Sequence, residues 1–202
     1  AEITVGYLKE EAVNVEITNG TLGPTSATVG KDYNGQIYPD EGYTYPYPDT
    51  VTVKIGETTY KPGDAGITYS RETGKLYIPS SLITEDILVT AICPPNAISA
   101  SVTCNNGGHT GGDSATYKTA YSTTLSANTG YGLPNSLTTI TVGGTPLTAG
   151  QYTYTKSTGE VSIPAENVTG DIVIIADCVP NALNASVTCN NGGHTGGDSA
   201  TY

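Results

Sequence analysis

The chain has 202 residues, 37% of them hydrophobic and 13% charged, with a net charge of −11, 25 Gly and 12 Pro. Phe, Trp and Met are absent and all 15 aromatic residues are Tyr. This is the composition of a β-rich, turn-rich chain of one large or two small domains. It excludes several classes of function. No run of 18 apolar residues is present to span a membrane, and no basic patch or recognition helix suits nucleic acid. The chain begins with Ala1 rather than Met, which leads us to expect a secreted protein whose signal has been removed.

Taken from the N-terminus, residues 1–13 read as an extension, and YLKEEAV within it as strand or turn. Residues 14–94 form a first repeat, residues 95–179 a second, and residues 180–202 the first strands of a third. The repeats carry the strongest signal. Residues 96–117, NAISASVTCNNGGHTGGDSATY, recur at 181–202 with changes only at Ile98/Leu183 and Ser99/Asn184. TGKLYIPSSLITEDILVTAIC (73–93) lines up with TGEVSIPAENVTGDIVIIADC (158–178). Copies this similar suit a structural array better than independent enzymatic domains.

Within the second repeat, strands are predicted near 100–104, 114–117, 121–126, 137–142, 151–155, 160–163 and 171–177, where Thr, Val, Ile and Tyr alternate with polar residues. NNGG, NTG, VGG and STG punctuate them as turns. The last strands, ILVTAI and IVIIAD, are the most continuously apolar and are expected at the centre of a sheet. The fold class is therefore all-β: tandem sandwich domains of about seven strands each, in a rod-like array.

The pattern resembles the tandem Ig-like repeats of bacterial cell-surface proteins, which also occur in phage tail proteins. The residues that carry the resemblance are TVGKDYNGQI or YKTAYSTTL, GY-x-x-P, a V-G or I-G pair, YTY or ITY, TG-x-x-x-IP, and GDIVI or EDILV. The resemblance implies extracellular display and a structural or adhesive role, and it carries over no functional residue.

Four cysteines, Cys93, Cys104, Cys178 and Cys189, fall into two Cys-x10-Cys pairs. Disulfides are the expected chemistry, since no second pair of metal ligands accompanies them. Pairing Cys93 with Cys104 and Cys178 with Cys189 leaves none over and would staple each domain to the next. The in-domain alternative, Cys104 with Cys178, would orphan the other two. Ile17 stands about where the first repeat would have the equivalent of Cys104.

Candidate sites are few. In an extended chain Tyr43, Tyr45 and Tyr47 point the same way and could form a face for a glycan or a partner; the competing reading packs Tyr43 into the core, since the second repeat keeps Tyr131 there. His109 and His194, with Asp113 and Asp198, sit in a duplicated Gly-rich loop and supply too few ligands for a metal. Asn19, Asn167 and Asn184 head N-x-S/T sequons. Lys118 and Lys156 match no Lys of the first repeat, which argues against an intramolecular Lys–Asn bond. No cofactor, metal or catalytic constellation is expected. The expected partner is the chain itself, head to tail or by strand exchange through 1–13 and 180–202; a chain cut partway through an array is the other reading of that end.

Overall fold

In the computed structural model, residues 8–184, 186, 188–193, 195–196 and 199–201 are described. The protein is all-β with several sheets, an arrangement compatible with β-sandwich domains, and it divides into two compact units, residues 1–96 and 97–202.

The first unit contains β1 (Glu10–Thr18), β2 (Gly20–Gly23), β3 (Ser26–Thr28), β4 (Tyr33–Pro39), β5 (Thr52–Ile55), β6 (Thr58–Tyr60), β7 (Thr68–Tyr69), β8 (Lys75–Ile78) and β9 (Ile87–Ile92). They form a five-stranded sheet in the order β3-β1-β9-β5-β6 and a four-stranded sheet in the order β2-β4-β8-β7. Residues 10–13, at the end of the anticipated extension, lie within β1. The apolar strand β9 sits at the centre of its sheet, as its composition predicts, with Ile87, Val89 and Ala91 turned to the core. Leu22, Tyr33, Ile37, Leu76 and Ile78 of the second sheet join the same buried cluster. Each aliphatic side chain fully buried in this way contributes roughly 1.5–3 kcal/mol.

The second unit repeats the plan. It has β10 (Ala97–Asn105), β11 (Gly107–Thr110), β12 (Ser114–Thr116), β13 (Tyr121–Ala127), β14 (Tyr131–Gly132), β15 (Thr139–Val142), β16 (Thr145–Pro146), β17 (Thr153–Thr155), β18 (Glu160–Ile163), β19 (Ile172–Asp177) and β20 (Val179–Pro180). The sheet orders are β12-β10-β19-β15-β16 and β11-β13-β18-β17, with β14 and β20 as a separate pair. All seven strands read from this repeat are present. Four short ones, β11, β14, β16 and β20, were not anticipated, because GGHT, YG, TP and VP are too short or too polar to show an apolar alternation.

In both units the first long strand changes partner midway. β1 pairs antiparallel with β3 through Glu10–Ala12 and then parallel with β9 through Val13–Thr18. β10 does the same with β12 through Ala97–Ser99 and with β19 through Ala100–Asn105. At the change-over a backbone N–H needs a new acceptor. Asp86 supplies it to Ala12 at 2.9 Å and Asp171 to Ser99 at 3.1 Å. This gives a physical role to the acid of the recurring EDILV and GDIVI segments.

The turn that leaves this strand is also shared. Asn19 (φ 58°) and Asn106 (φ 57°) occupy the left-handed region, which Asn tolerates better than most residues. Gly follows each. Past β20, β21 (Ala182–Asn184) pairs with β22 (Ser199–Thr201) in the same register as β10 with β12, 85 positions on. Leu183 stands where Ile98 is buried at 6% exposure, yet it is 45% exposed.

Candidate functional site

The cysteines are the most informative cluster. The parallel register sets Cys104 opposite Ala176, and the Cys178 N–H donates to the Asn105 carbonyl at 3.0 Å. Both side chains turn inward, and their Sγ atoms lie 3.3 Å apart as buried thiols. Burial first, and then the neighbouring Cys178 thiol, pushes the Cys104 thiol up to about 11. Of the pairings read from the sequence, the sulfurs brought together are those of the in-domain alternative, and all four cysteines are thiols. The reason is topological. The strands that carry Cys104 and Cys178 are neighbours in one sheet although they are 74 positions apart.

Gly107 makes room for this pair. A Cβ there would lie 2.7 Å from Cys104 Sγ, 3.0 Å from Cys178 Sγ and 2.2 Å from the Ser126 carbonyl oxygen. Gly20 is its counterpart in the first unit, where a Cβ would lie 2.8 Å from Cys93 Sγ. The Cys93 N–H donates to Thr18 O as the Cys178 N–H does to Asn105 O. Ile17 therefore occupies the position of Cys104, and Cys93 is a buried thiol without a sulfur partner in its own unit. Cys189 is an exposed thiol.

Beside each cysteine position stands a Tyr. In the second unit the Tyr154 hydroxyl donates to the Pro134 carbonyl at 3.0 Å. Its counterpart Tyr69 has a buried hydroxyl with no hydrogen-bond partner. Burial above all, with Cys93 and Tyr45 nearby, pushes Tyr69 up to about 12. At the end of the second unit's cysteine pair, the Asp177 carboxylate accepts hydrogen bonds from Asn105 Nδ2 and Thr138 Oγ1, each at 2.5 Å. These bonds hold its carboxyl below the ordinary range.

The three tyrosines singled out from the sequence differ in exposure. Tyr43 is half-buried against the core of the first unit and bridges to Pro95. Tyr45 is also half-buried, with its ring beside Gly74, while Tyr47 is 48% exposed with the Arg71 guanidinium 3.7 Å from its ring centroid. A shallow cleft of about 450 Å³ lies along β4, β7 and β8 of the same unit, bordered by Asn34, Gln36, Ser70, Thr73, Lys75 and Tyr77. The sequence reading missed this cleft, because its residues are spread over three strands.

His109 lies on β11, with Nε2 3.8 Å from Asp113 Oδ1. Among the described residues, no group of three or more His, Cys, Asp and Glu could hold a metal ion. His194 and Asp198 lie outside the described residues. Asn19 sits in the turn after β1, the Asn167 side chain donates to the Gln151 carbonyl at 2.9 Å, and Asn184 lies in β21. Lys118 Nζ bonds the Glu166 carbonyl and Lys156 Nζ bonds Asn135 Oδ1. Among the described residues, no helix is long and apolar enough to cross a membrane. In comparison with known proteins, the chain matches no family model and no curated protein.

Proposed function

We propose that this chain is a segment of an extracellular structural protein, with tandem Ig-like repeats forming part of a cell-surface fibre, pilus-like filament or surface layer. The observation that carries the reading is the duplicated plan: two units with the same strand order, the second of which also holds a strand pair that repeats its own first pairing 85 positions on. The buried positions of each unit are mainly aliphatic. The half-exposed Leu183 supports self-association through 180–202, since apolar surface on a two-stranded pair favours an added strand. Net negative charge would keep neighbouring copies soluble.

The polar cleft beside Tyr77 favours a second reading, a module that binds glycans, because an amphipathic ring among amide and hydroxyl groups suits a sugar. Negative-stain electron microscopy of the native, non-reduced protein, run beside a glycan array, separates the two. End-to-end filaments with a regular axial repeat and no saturable glycan binding are expected. Particles that stay single at every concentration, together with saturable glycan binding, would replace the structural reading with the second.

A further inference from the structure

The first and last long strands of the second unit are neighbours and run parallel. β10 and β19 pair through six consecutive positions, Ala100–Asn105 with Ile172–Asp177. In a parallel pair, the start of one strand and the end of the other lie at opposite ends of the ladder. Tension on the two ends of the unit therefore slides β10 along β19 and loads all six positions together. The first unit has the same clamp, Val13–Thr18 against Ile87–Ile92. Val179–Pro180, beyond the clamp, is held by only two pairs with β14 and peels away first.

The two clamps differ where the strands end. In the second unit Cys104 and Cys178 stand side by side across the clamp, with Gly107 leaving the space their sulfurs fill. In the first unit the matching positions hold Ile17 and Cys93. We propose that Cys104 and Cys178 form a disulfide that locks the second unit against extension, while the first unit remains extensible. The bond carries force directly from the end of β10 to the residue after β19. The 74-position stretch between them is then bypassed.

The step is an ordinary thiol–disulfide exchange with a low-molecular-weight disulfide. Cys104 and Cys178 each give up a proton and one S–S bond forms between them. The electron pair passes to the oxidant, whose own S–S bond breaks to give two thiols. The attacking species is a thiolate. Burial disfavours it at Cys104, so the bond forms as the chain folds, and in the folded, reduced protein it forms slowly, faster as pH rises. The lock follows from the strand geometry alone; its use under tension rests on the structural reading above.

Single-molecule force spectroscopy on the full chain, held at its two ends, tests the lock. At up to ~3.6 Å per extended residue, each unlocked unit releases about 260 Å of chain. Under dithiothreitol two such steps are expected. After refolding with oxidised glutathione, one step should remain and the second should shrink below about 30 Å, the reach of β10 alone. Cys104→Ser or Cys178→Ser should restore the second step, and Cys93→Ser should change nothing. Two full steps from oxidised wild-type protein would overturn the lock. Alkylation and peptide mapping of the same wild-type sample gives an answer that needs no variant to fold. A Cys104–Cys178 cross-link is expected; free thiols at both, or Cys178 joined to Cys189, would overturn the pairing. Because the measurement is made within one chain, it can fail while filaments form, or succeed where none do.

Discussion

The two units are the same design carried out with different residues at one corner. Both end on a buried cysteine that donates its N–H to the last residue of the first strand, Cys93 to Thr18 and Cys178 to Asn105. Both leave a glycine beside that sulfur. One residue before the strand ends, the first unit has Ile17 and the second has Cys104. The result is a single buried thiol in one unit and a thiol pair in the other. One side chain, placed across a parallel ladder, decides whether a domain can be closed covalently around 74 positions of chain. Nothing else in the shared strand order needs to change.

Moving the second cysteine's position into the first unit should have the greatest consequence. Ile17→Cys should place a thiol beside Cys93 and lock the first unit. In oxidised protein the remaining step of about 260 Å should then vanish from force–extension traces. If it persists while the new cross-link is found by peptide mapping, the shared clamp geometry is not what carries the load.

Next in size are the glycines. Gly107→Ala pushes a methyl into the Ser126 carbonyl oxygen, 2.2 Å away, and into both sulfurs. Overpacking against backbone should destabilise the second unit by about 3 kcal/mol. Gly20→Ala meets Cys93 Sγ and the Tyr38 carbonyl at 2.8 Å each, and should cost the first unit about 2 kcal/mol. Peptide-resolved hydrogen exchange in urea reads the two units separately. Equal losses in both would mean that the second sulfur adds no constraint.

A smaller effect distinguishes the tyrosines. Tyr154→Phe leaves the Pro134 carbonyl without its donor and should cost the second unit about 1 kcal/mol. Tyr69→Phe removes a buried hydroxyl that has no partner, so the first unit should be unchanged or slightly more stable. Paired urea titrations of the two variants check the sign.

The smallest effect is acidic. Asp32 is held below its ordinary value of 3.8 by the Ser80 N–H above all, and Asp177 by Asn105 first and then Thr138. A carboxyl lowered by folding stabilises the fold above its unfolded value, and that stability is lost as pH falls through the folded value. Both units should therefore weaken slightly below about pH 4. Both carboxylates are exposed, which keeps the effect small. Asp177→Asn should flatten the acid limb of the second unit's melting temperature and Asp32→Asn that of the first; an unaltered limb would remove these bonds as its cause.

Local order was legible in the residues themselves. Alternation at Tyr121–Ala127 marked a strand with one buried face. The continuous apolar run at Ile87–Ile92 marked the strand at the centre of its sheet. Asn-Gly turns punctuated the chain because few other residues accept a left-handed backbone. The duplication was plain by inspection, and so was the oddity of Ile17 where a cysteine was expected. The short strands β11, β14, β16 and β20 were not legible, because strands this short are set by the neighbour they pair with rather than by their own residues.

The residues alone therefore set the periodicities: β-strands, the turns between them and their repetition. These depend on residues within a few positions of one another. Which strands lie side by side depends on the folding of each whole unit. The spacing of eleven positions between Cys93 and Cys104 drew the eye along the chain. Parallel pairing of β10 with β19 instead set Cys104 beside Cys178. The same holds for the tyrosines, whose alternation suggested a common face while packing drew Tyr43 toward the core and left Tyr47 outside. Sheet order follows from how two apolar faces close over one another, and that sum over the whole unit is not written in any one segment.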